Sequence, residues 1–296
     1  MITFTQLGSL GRLGNQLFQY AALKSLALTK GYEIKIPNPE TKHWHGQECL
    51  LGQLSLECDY LQAQDLDGLK YIYNESNPME VDQAFYEIPD NTNLAGFFQS
   101  TFYFKDHAPQ IKKELTPNQE IMELAREKIS RCKKEHPGHE IISLHLRRGD
   151  NTDWTNPNSA LSLVYGNDGS LQPYSFYGQY LNAAKNEFKN HKCKFLVFSG
   201  GSRKPGNSNL TDLEWCRENF IGDEYLFSEG NNTLTDFSMI MNCDHNIISH
   251  ISSFGWWAAY LNTNSDSQVV APIHYHPDMP QYTHREMFYP NSWRLV

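Results

Sequence analysis

Ile141-Ile142-Ser143-Leu144-His145-Leu146-Arg147-Arg148-Gly149-Asp150 is an apolar run of strand length that ends abruptly in two arginines, a glycine and an aspartate. In open α/β sheets ligands bind outside the carboxyl ends of the strands, so charged residues at such an exit mark a binding position. Two guanidiniums in an acidic protein imply an anion, for which a phosphate or pyrophosphate is the best chemical match. The competing reading pairs one arginine with Asp150 and leaves the other in solvent.

The surrounding pattern gives the fold class. After the break Glu135-His136-Pro137-Gly138-His139, strand-length apolar runs at 141–146, 194–199, 224–227, 246–249 and 268–271 are separated by helix-length segments at 174–188, 212–220, 235–242 and 254–261. This alternation implies right-handed crossovers and a parallel, doubly wound sheet. Before the break, strand 2–7, a helix from about Asn15 to Lys30 and strand 32–36 open a similar unit. A polar, loop-rich stretch follows to Pro89, then a strand at 94–98 and a helix at 117–134. The expected architecture is α/β, with two Rossmann-like domains, 1–138 and 139–296, facing across a cleft.

With 40% hydrophobic and 13% aromatic residues, the 296-residue chain can build substantial cores. Its formal charge of −9 argues against nucleic acid or a membrane surface as a general partner. Nothing resembles a signal peptide or a membrane span, so a cytoplasmic protein is expected, with peripheral membrane association left open. The six cysteines are dispersed without C-x-x-C spacing, as for thiols in a reducing compartment.

Two other strand-to-helix turns carry suitable groups. Gly11-Arg12-Leu13-Gly14-Asn15-Gln16 joins tight-turning glycines to a helix start, where Asn15 could cap the helix or bond a ligand oxygen. Ser252-Ser253-Phe254-Gly255 opens the last long helix, where two hydroxyls join the backbone donors; the serines read as functional, Trp256 and Trp257 as core. Asp65-Leu66-Asp67 has the form of a metal-binding D-x-D but sits in a polar stretch and reads as a solvated face. His43-Trp44-His45 and His274-Tyr275-His276 have metal-compatible spacing, but no cluster of cysteines or carboxylates accompanies either. Trp154 could stack on a sugar or close the base of a loop.

Taken in order, Gly11–Tyr20 (GRLGNQLFQY), Leu94–Phe104 (LAGFFQSTFYF), Ser143–Asp150 (SLHLRRGD), Lys194–Ser199 (KFLVFS), Asp212–Phe220 (DLEWCRENF) and Cys243–Asn262 (CDHNIISHISSFGWWAAYLN) resemble the α-1,2-fucosyltransferases of glycosyltransferase family 11. The resemblance implies a GT-B-like fold and inverting transfer of L-fucose from GDP-fucose to the 2-hydroxyl of a terminal β-galactoside. It implies no metal and no other cofactor. His145 would then contact the guanosine and Asp236 the nucleoside, while Arg147 meets the pyrophosphate with help from Arg148. Ser252, Ser253 and Phe254 would hold the phosphate side. Asn15 would lie near the reacting oxygens, with Gln16 and Trp154 toward the acceptor. Asp150 would be the general base or an orienting group. The chain departs from the pattern at Arg12, at Asn151, and at Gly200-Gly201, which open an insertion through about Thr211. The other readings are a GDP-sugar transferase with a different glycan or protein acceptor, and a catalytically silent glycan- or nucleotide-binding module.

Overall fold

The computed structural model describes residues 1–77, 81–148, 176–200, 210–250, 252–273 and 285–296. The chain forms two compact units, Met1–Gln119 with His284–Asn291, and Glu120–Thr283 with Ser292–Val296. The sequence places the division at 138/139; by contacts it falls at Gln119/Glu120.

In the first unit, β1 (Ile2–Thr3) leads into α1 (Leu13–Lys30) and β2 (Ile34–Ile36). A small antiparallel hairpin, β3 (His43–Trp44) and β4 (Gln47–Glu48), precedes β5 (Asp59–Tyr60), β6 (Tyr71–Asn74), β7 (Thr92–Ala95) and α2 (Ala108–Glu114). The sheet order is β5-β2-β1-β7-β6, with parallel pairing throughout. Strand order reverses direction at β1 and β7, so the loops leaving these two strands diverge and leave room between them.

Helix α1 is buried on nearly every side from Leu13 to Ala27, a position in which unpaired polar groups are costly. Its polar residues are accordingly bonded. Lys24 Nζ lies 2.9 Å from the fully buried Glu114, which also accepts from the Tyr20 hydroxyl and from Gln110. Gly31 ends the helix in the left-handed conformation, its N–H bonding to the Ala27 carbonyl. Phe18 stacks on Phe288 of α8 (Arg285–Phe288), which returns from the far end of the sequence; the Met287 carbonyl accepts from Ser100 and Thr101.

The second unit begins with α3 (Gln119–Glu135), whose Lys133 pairs with Asp244 at 2.6 Å. The succession continues as β8 (Glu140–His145), α4 (Phe176–Asn186), β9 (Cys193–Phe198), α5 (Asp212–Asn219), β10 (Tyr225–Phe227) and α6 (Thr233–Met241). It closes with β11 (His245–Ile247), α7 (Ser253–Tyr260), β12 (Val269–Ala271) and β13 (Arg294–Leu295). The sheet order is β10-β9-β8-β11-β12-β13, all parallel. Numbered within the unit this is 3-2-1-4-5-6, the dinucleotide-fold order, with its switch point between β8 and β11.

Alternation along β8 sorts its side chains. Ile142, Leu144 and Leu146 join the core cluster that includes Tyr180 and Leu181 of α4 and Trp215 of α5. Ser143 and His145 lie on the opposite face, where Asn246 Nδ2 donates to Ser143 Oγ and α7 packs over His145. Among the described residues no helix is long and apolar enough to cross a membrane. None of the six cysteines forms a disulfide.

The Tyr20–Glu114–Lys24 network makes a stability test. Glu114→Ala strands the largely buried Lys24 ammonium, a class of change that costs about 3–5 kcal/mol. Tyr20→Phe removes one hydrogen bond to a charged group and is expected to cost less, about 1.5–3 kcal/mol. Urea denaturation of the two variants beside the parent chain checks both the size and the order.

Candidate functional site

The switch point of the second sheet collects the described groups singled out at 141–148 and 252–254. Beyond β8 the Leu146 N–H still bonds to the Phe198 carbonyl, and the Arg147 N–H donates to Ser249 Oγ at 2.9 Å. That bond ties the exit of β8 to the exit of β11, so Arg147 sits at the loop that runs into α7. Ser252 is the N-cap of α7, its Oγ accepting from the Gly255 N–H at 3.3 Å. Capping therefore accounts for Ser252, which is buried, whereas Ser253 at the first helical position is half-buried. The start of α7 adds backbone donors and a positive dipole end to the Arg147 charge, a combination suited to a phosphate.

His145 is closely packed beneath this helix start. Its ring centroid is 5.5 Å from that of Phe254, which meets Phe237 of α6 edge-on at 5.2 Å. A Cβ on Gly255 would lie 2.6 Å from His145 Nδ1, so only glycine lets the helix come this close. Nδ1 is buried and has no hydrogen-bond partner among the described residues. Burial, with the neighbouring Arg147 charge as a lesser cause, pulls the imidazole pKa down to about 3. His145 is a neutral ring at any physiological pH.

Arg148 corrects the expectation that both arginines face the ligand. Its Nε donates to Asp212 Oδ1 at 3.2 Å, and the guanidinium carbon lies 3.6 Å from the centroid of the Trp215 ring. Arginine and aspartate are 2% and 0% exposed, so the pair belongs to the core rather than to a binding surface. The reason is the alternation of β8 carried past its end: residues 142, 144, 146 and 148 lie on the side of α4 and α5 and 145 under α7, and the same alternation assigns 147 to the side of 145. The glycine at the start of the insertion has a role here, because a Cβ on Gly200 would collide with the Asp212 carboxylate.

Asp236 lies in the first turn of α6, after β10. Its Oδ1 accepts from Ser228 Oγ at 2.7 Å and Asn231 Nδ2 at 3.0 Å, while burial pushes its pKa upward against those bonds. The next residue, Phe237, reaches Phe254, so Asp236 is connected to the α7 turn through aromatic packing. Asp150 and Trp154, and with them His274 and His276, lie outside the described residues.

In the first unit, Asn15 is no helix cap. Helix α1 starts two residues earlier with Arg12 as N-cap, which makes no side-chain capping bond. Asn15 is half-exposed in the first turn, its Oδ1 accepting from Gln99 Nε2 at 2.9 Å. Gly11, at φ +79°, leaves room for it: a Cβ there would fall 2.5 Å from Asn15 Nδ2. Gln16 is turned into its own unit. Its Nε2 donates to the Gly11 carbonyl, its Oε1 accepts from Cys49 Sγ, and the side chain is buried. Asp65 is likewise spoken for. It pairs with Lys35 at 2.8 Å and accepts from the Gln62 N–H, a cap and ion pair rather than a bare D-x-D.

Tertiary structure also assembles Glu140, His191 and His245, close enough to resemble a metal cluster. His191 Nδ1 lies 2.5 Å from Glu140 Oε2, and His245 Nε2 is 3.6 Å from the same oxygen. The Gln268 N–H donates to His245 Nδ1 at 3.0 Å, which leaves Nε2 carrying the proton of the neutral ring and unable to ligate. Glu140 and His245 begin β8 and β11 and His191 precedes β9, at the opposite end of the sheet from Arg147.

The glycosyl transferase family 11 profile matches residues 3–296, and the chain belongs to that family. It is a glycosyltransferase with a GT-B-like fold. An α-1,2-colitosyltransferase from Escherichia coli is 25% identical over 88% of this chain and 89% of its own. Galactoside α-(1,2)-fucosyltransferase 1 of Mus musculus is 28% identical, covering 85% of this chain and 61% of the mouse protein. Among solved structures, POFUT1 in complex with GDP-fucose is similar in fold, with a TM-score of 0.52 at 14% identity over 91% of this chain and 97% of that one.

The depressed His145 pKa has a signed consequence. The unfolded chain takes up a proton near pH 6.5 that the folded chain refuses until about pH 3. The stabilising contribution is therefore complete above pH 6.5 and is lost as pH falls through that value. Between pH 7.5 and 5 this one group is expected to remove about 2 kcal/mol, and His145→Gln should flatten the pH slope by that amount. Urea midpoints of both proteins at the two pH values measure it.

Proposed function

We propose that this glycosyltransferase is an α-1,2-fucosyltransferase, transferring L-fucose from GDP-β-L-fucose with inversion, and without a metal, to the 2-hydroxyl of a terminal β-galactoside. The observation that carries the reading is Arg147 at the switch point of a 3-2-1-4-5-6 sheet, beside the start of α7. A diphosphate is the ligand that such a cation and helix start suit. The relatives' names supply the sugar and linkage, and the fold is one that in POFUT1 accommodates GDP-fucose.

In this reading the acceptor 2-oxygen forms a bond to the anomeric carbon as the bond to GDP breaks. The transition state is oxocarbenium-like on the sugar, with negative charge growing on the diphosphate. Arg147, the α7 backbone donors and Ser253 meet that charge, and pre-placed donors of this kind are the largest single catalytic contribution. Neutral His145 and Phe254 form the nucleoside side, with Asp236 behind them. Asn15 is assigned to the reacting oxygens, Asp150 to the acceptor proton or the orientation of its loop, and Trp154 to the acceptor sugar. Arg148 and Gln16 are left out because both are buried and bonded inside their own units, and Asp65 because it serves as an ion pair and a cap.

The assay is GDP release and product linkage with GDP-fucose and lactose or N-acetyllactosamine. Arg147→Ala should lower kcat by at least about 10²–10³. Arg147→Lys should restore little, since an ammonium offers no planar bidentate fork. Turnover should persist in excess chelator; loss restored by magnesium or manganese would overturn metal independence. Preference for a colitosyl donor, or GDP binding without turnover, would overturn the fucosyl assignment.

A further inference from the structure

The first unit holds a buried carboxylate that the proposed chemistry leaves unused. Glu75 follows β6, and its backbone N–H continues the ladder to the Ala95 carbonyl. Its side chain folds over the turn that leaves β7. Oε2 accepts from the Phe97 N–H at 2.6 Å and the Phe98 N–H at 3.0 Å, and Oε1 accepts from the Phe98 N–H at 3.0 Å. The groups nearest in charge are Asp82, Tyr73 and Tyr103, so backbone donors rather than a cation satisfy this carboxylate. Burial pushes its pKa upward, which marks the clamp as electrostatically costly and not an incidental surface contact.

The turn under the clamp is unusual. Phe98 has φ +51°, a left-handed conformation that non-glycine residues rarely adopt, and its ring is fully buried against Phe4, Tyr73 and Tyr103. Gly96 has φ +153°, and a Cβ there would fall 2.5 Å from Glu75 Cβ and 2.7 Å from Oε2. Two glutamines dock the turn onto the loop leaving β1. Gln19 Nε2 donates to the Gly96 and Leu10 carbonyls, and Gln99 Nε2, immediately after the strained residue, donates to Asn15 Oδ1. These are the two loops that diverge at the switch point of the first sheet.

We infer that Glu75 is a positioning residue that locks the 96–98 turn in its left-handed form so that Gln99 fixes the side-chain amide of Asn15. The inference rests on the assignment of Asn15 to the reacting oxygens. The carboxylate is needed because it alone offers acceptors on both oxygens. In Glu75→Gln one oxygen becomes an NH₂ that faces the Phe98 N–H donor.

The test is a double-mutant cycle between Glu75→Gln and Gln99→Met, combined with ¹⁵N-asparagine spectra of the Asn15 side chain. Each single variant should lower kcat on the order of 10–10²-fold, the scale of a misplaced reacting group, with KM for GDP-fucose changed less than about twofold. The double variant should be no worse than the poorer single one, because both act through one contact. Independent, multiplying losses, or an unchanged kcat in folded Glu75→Gln, would overturn the inference. So would Asn15 amide resonances that do not move in Glu75→Gln. If Glu75→Gln fails to fold, Gly96→Ala displaces the same carboxylate and should reproduce the coupled loss. Parent protein that transfers no fucose while its Asn15 amide still responds to Glu75→Gln would fail the donor assignment and leave the clamp intact.

Discussion

The buried pair between Arg148 and Asp212 is the constraint on which the switch-point site depends. An arginine inside a core is tolerable only when its charge is matched and its plane is covered, and here Asp212 supplies the first and Trp215 the second. The pair anchors the exit of β8 to the start of α5 on one face of the sheet. Period-two alternation then commits the preceding residue, Arg147, to the other face, where Ser249 receives its backbone N–H. Two adjacent arginines are thus separated, with Arg148 committed to the core.

The α7 side of the site depends on close approach. Gly255 brings the helix start onto the His145 ring, and the resulting burial keeps that imidazole neutral. A neutral ring keeps positive charge concentrated at Arg147 and the helix start. It also carries one donor and one acceptor nitrogen in place of a second cation.

The first unit solves a similar positioning problem without a charged ligand group. Its loops after β1 and β7 are held by amides: Gln16 on the Gly11 carbonyl, Gln19 on two carbonyls, and Gln99 on Asn15. Glu75 adds a carboxylate to these amides and holds the strained turn from which Gln99 extends. The GRLGNQ and GFFQS stretches therefore meet as two halves of one construction, which explains why Gln16 resembles a binding residue in sequence yet lies buried.

Local sequence determined the α/β class, the parallel second sheet, the strand ending before Arg147 and the helix starting after Ser252, because periodicity and turn chemistry are properties of neighbouring residues. It also marked the α5 start, where Thr211 and Glu214 form a reciprocal cap. It did not show β5 and β6, which are two to four residues long and carry exposed side chains in a polar stretch. Nor did it show the return of α8 to the first unit, since a four-residue helix leaves no periodic trace. Which arginine is buried in the core, which serine is a cap, and that Glu75 reaches across to Phe98 were decided by tertiary structure alone. Each depends on a partner between 3 and 64 positions away in sequence, brought within hydrogen-bond reach by the fold.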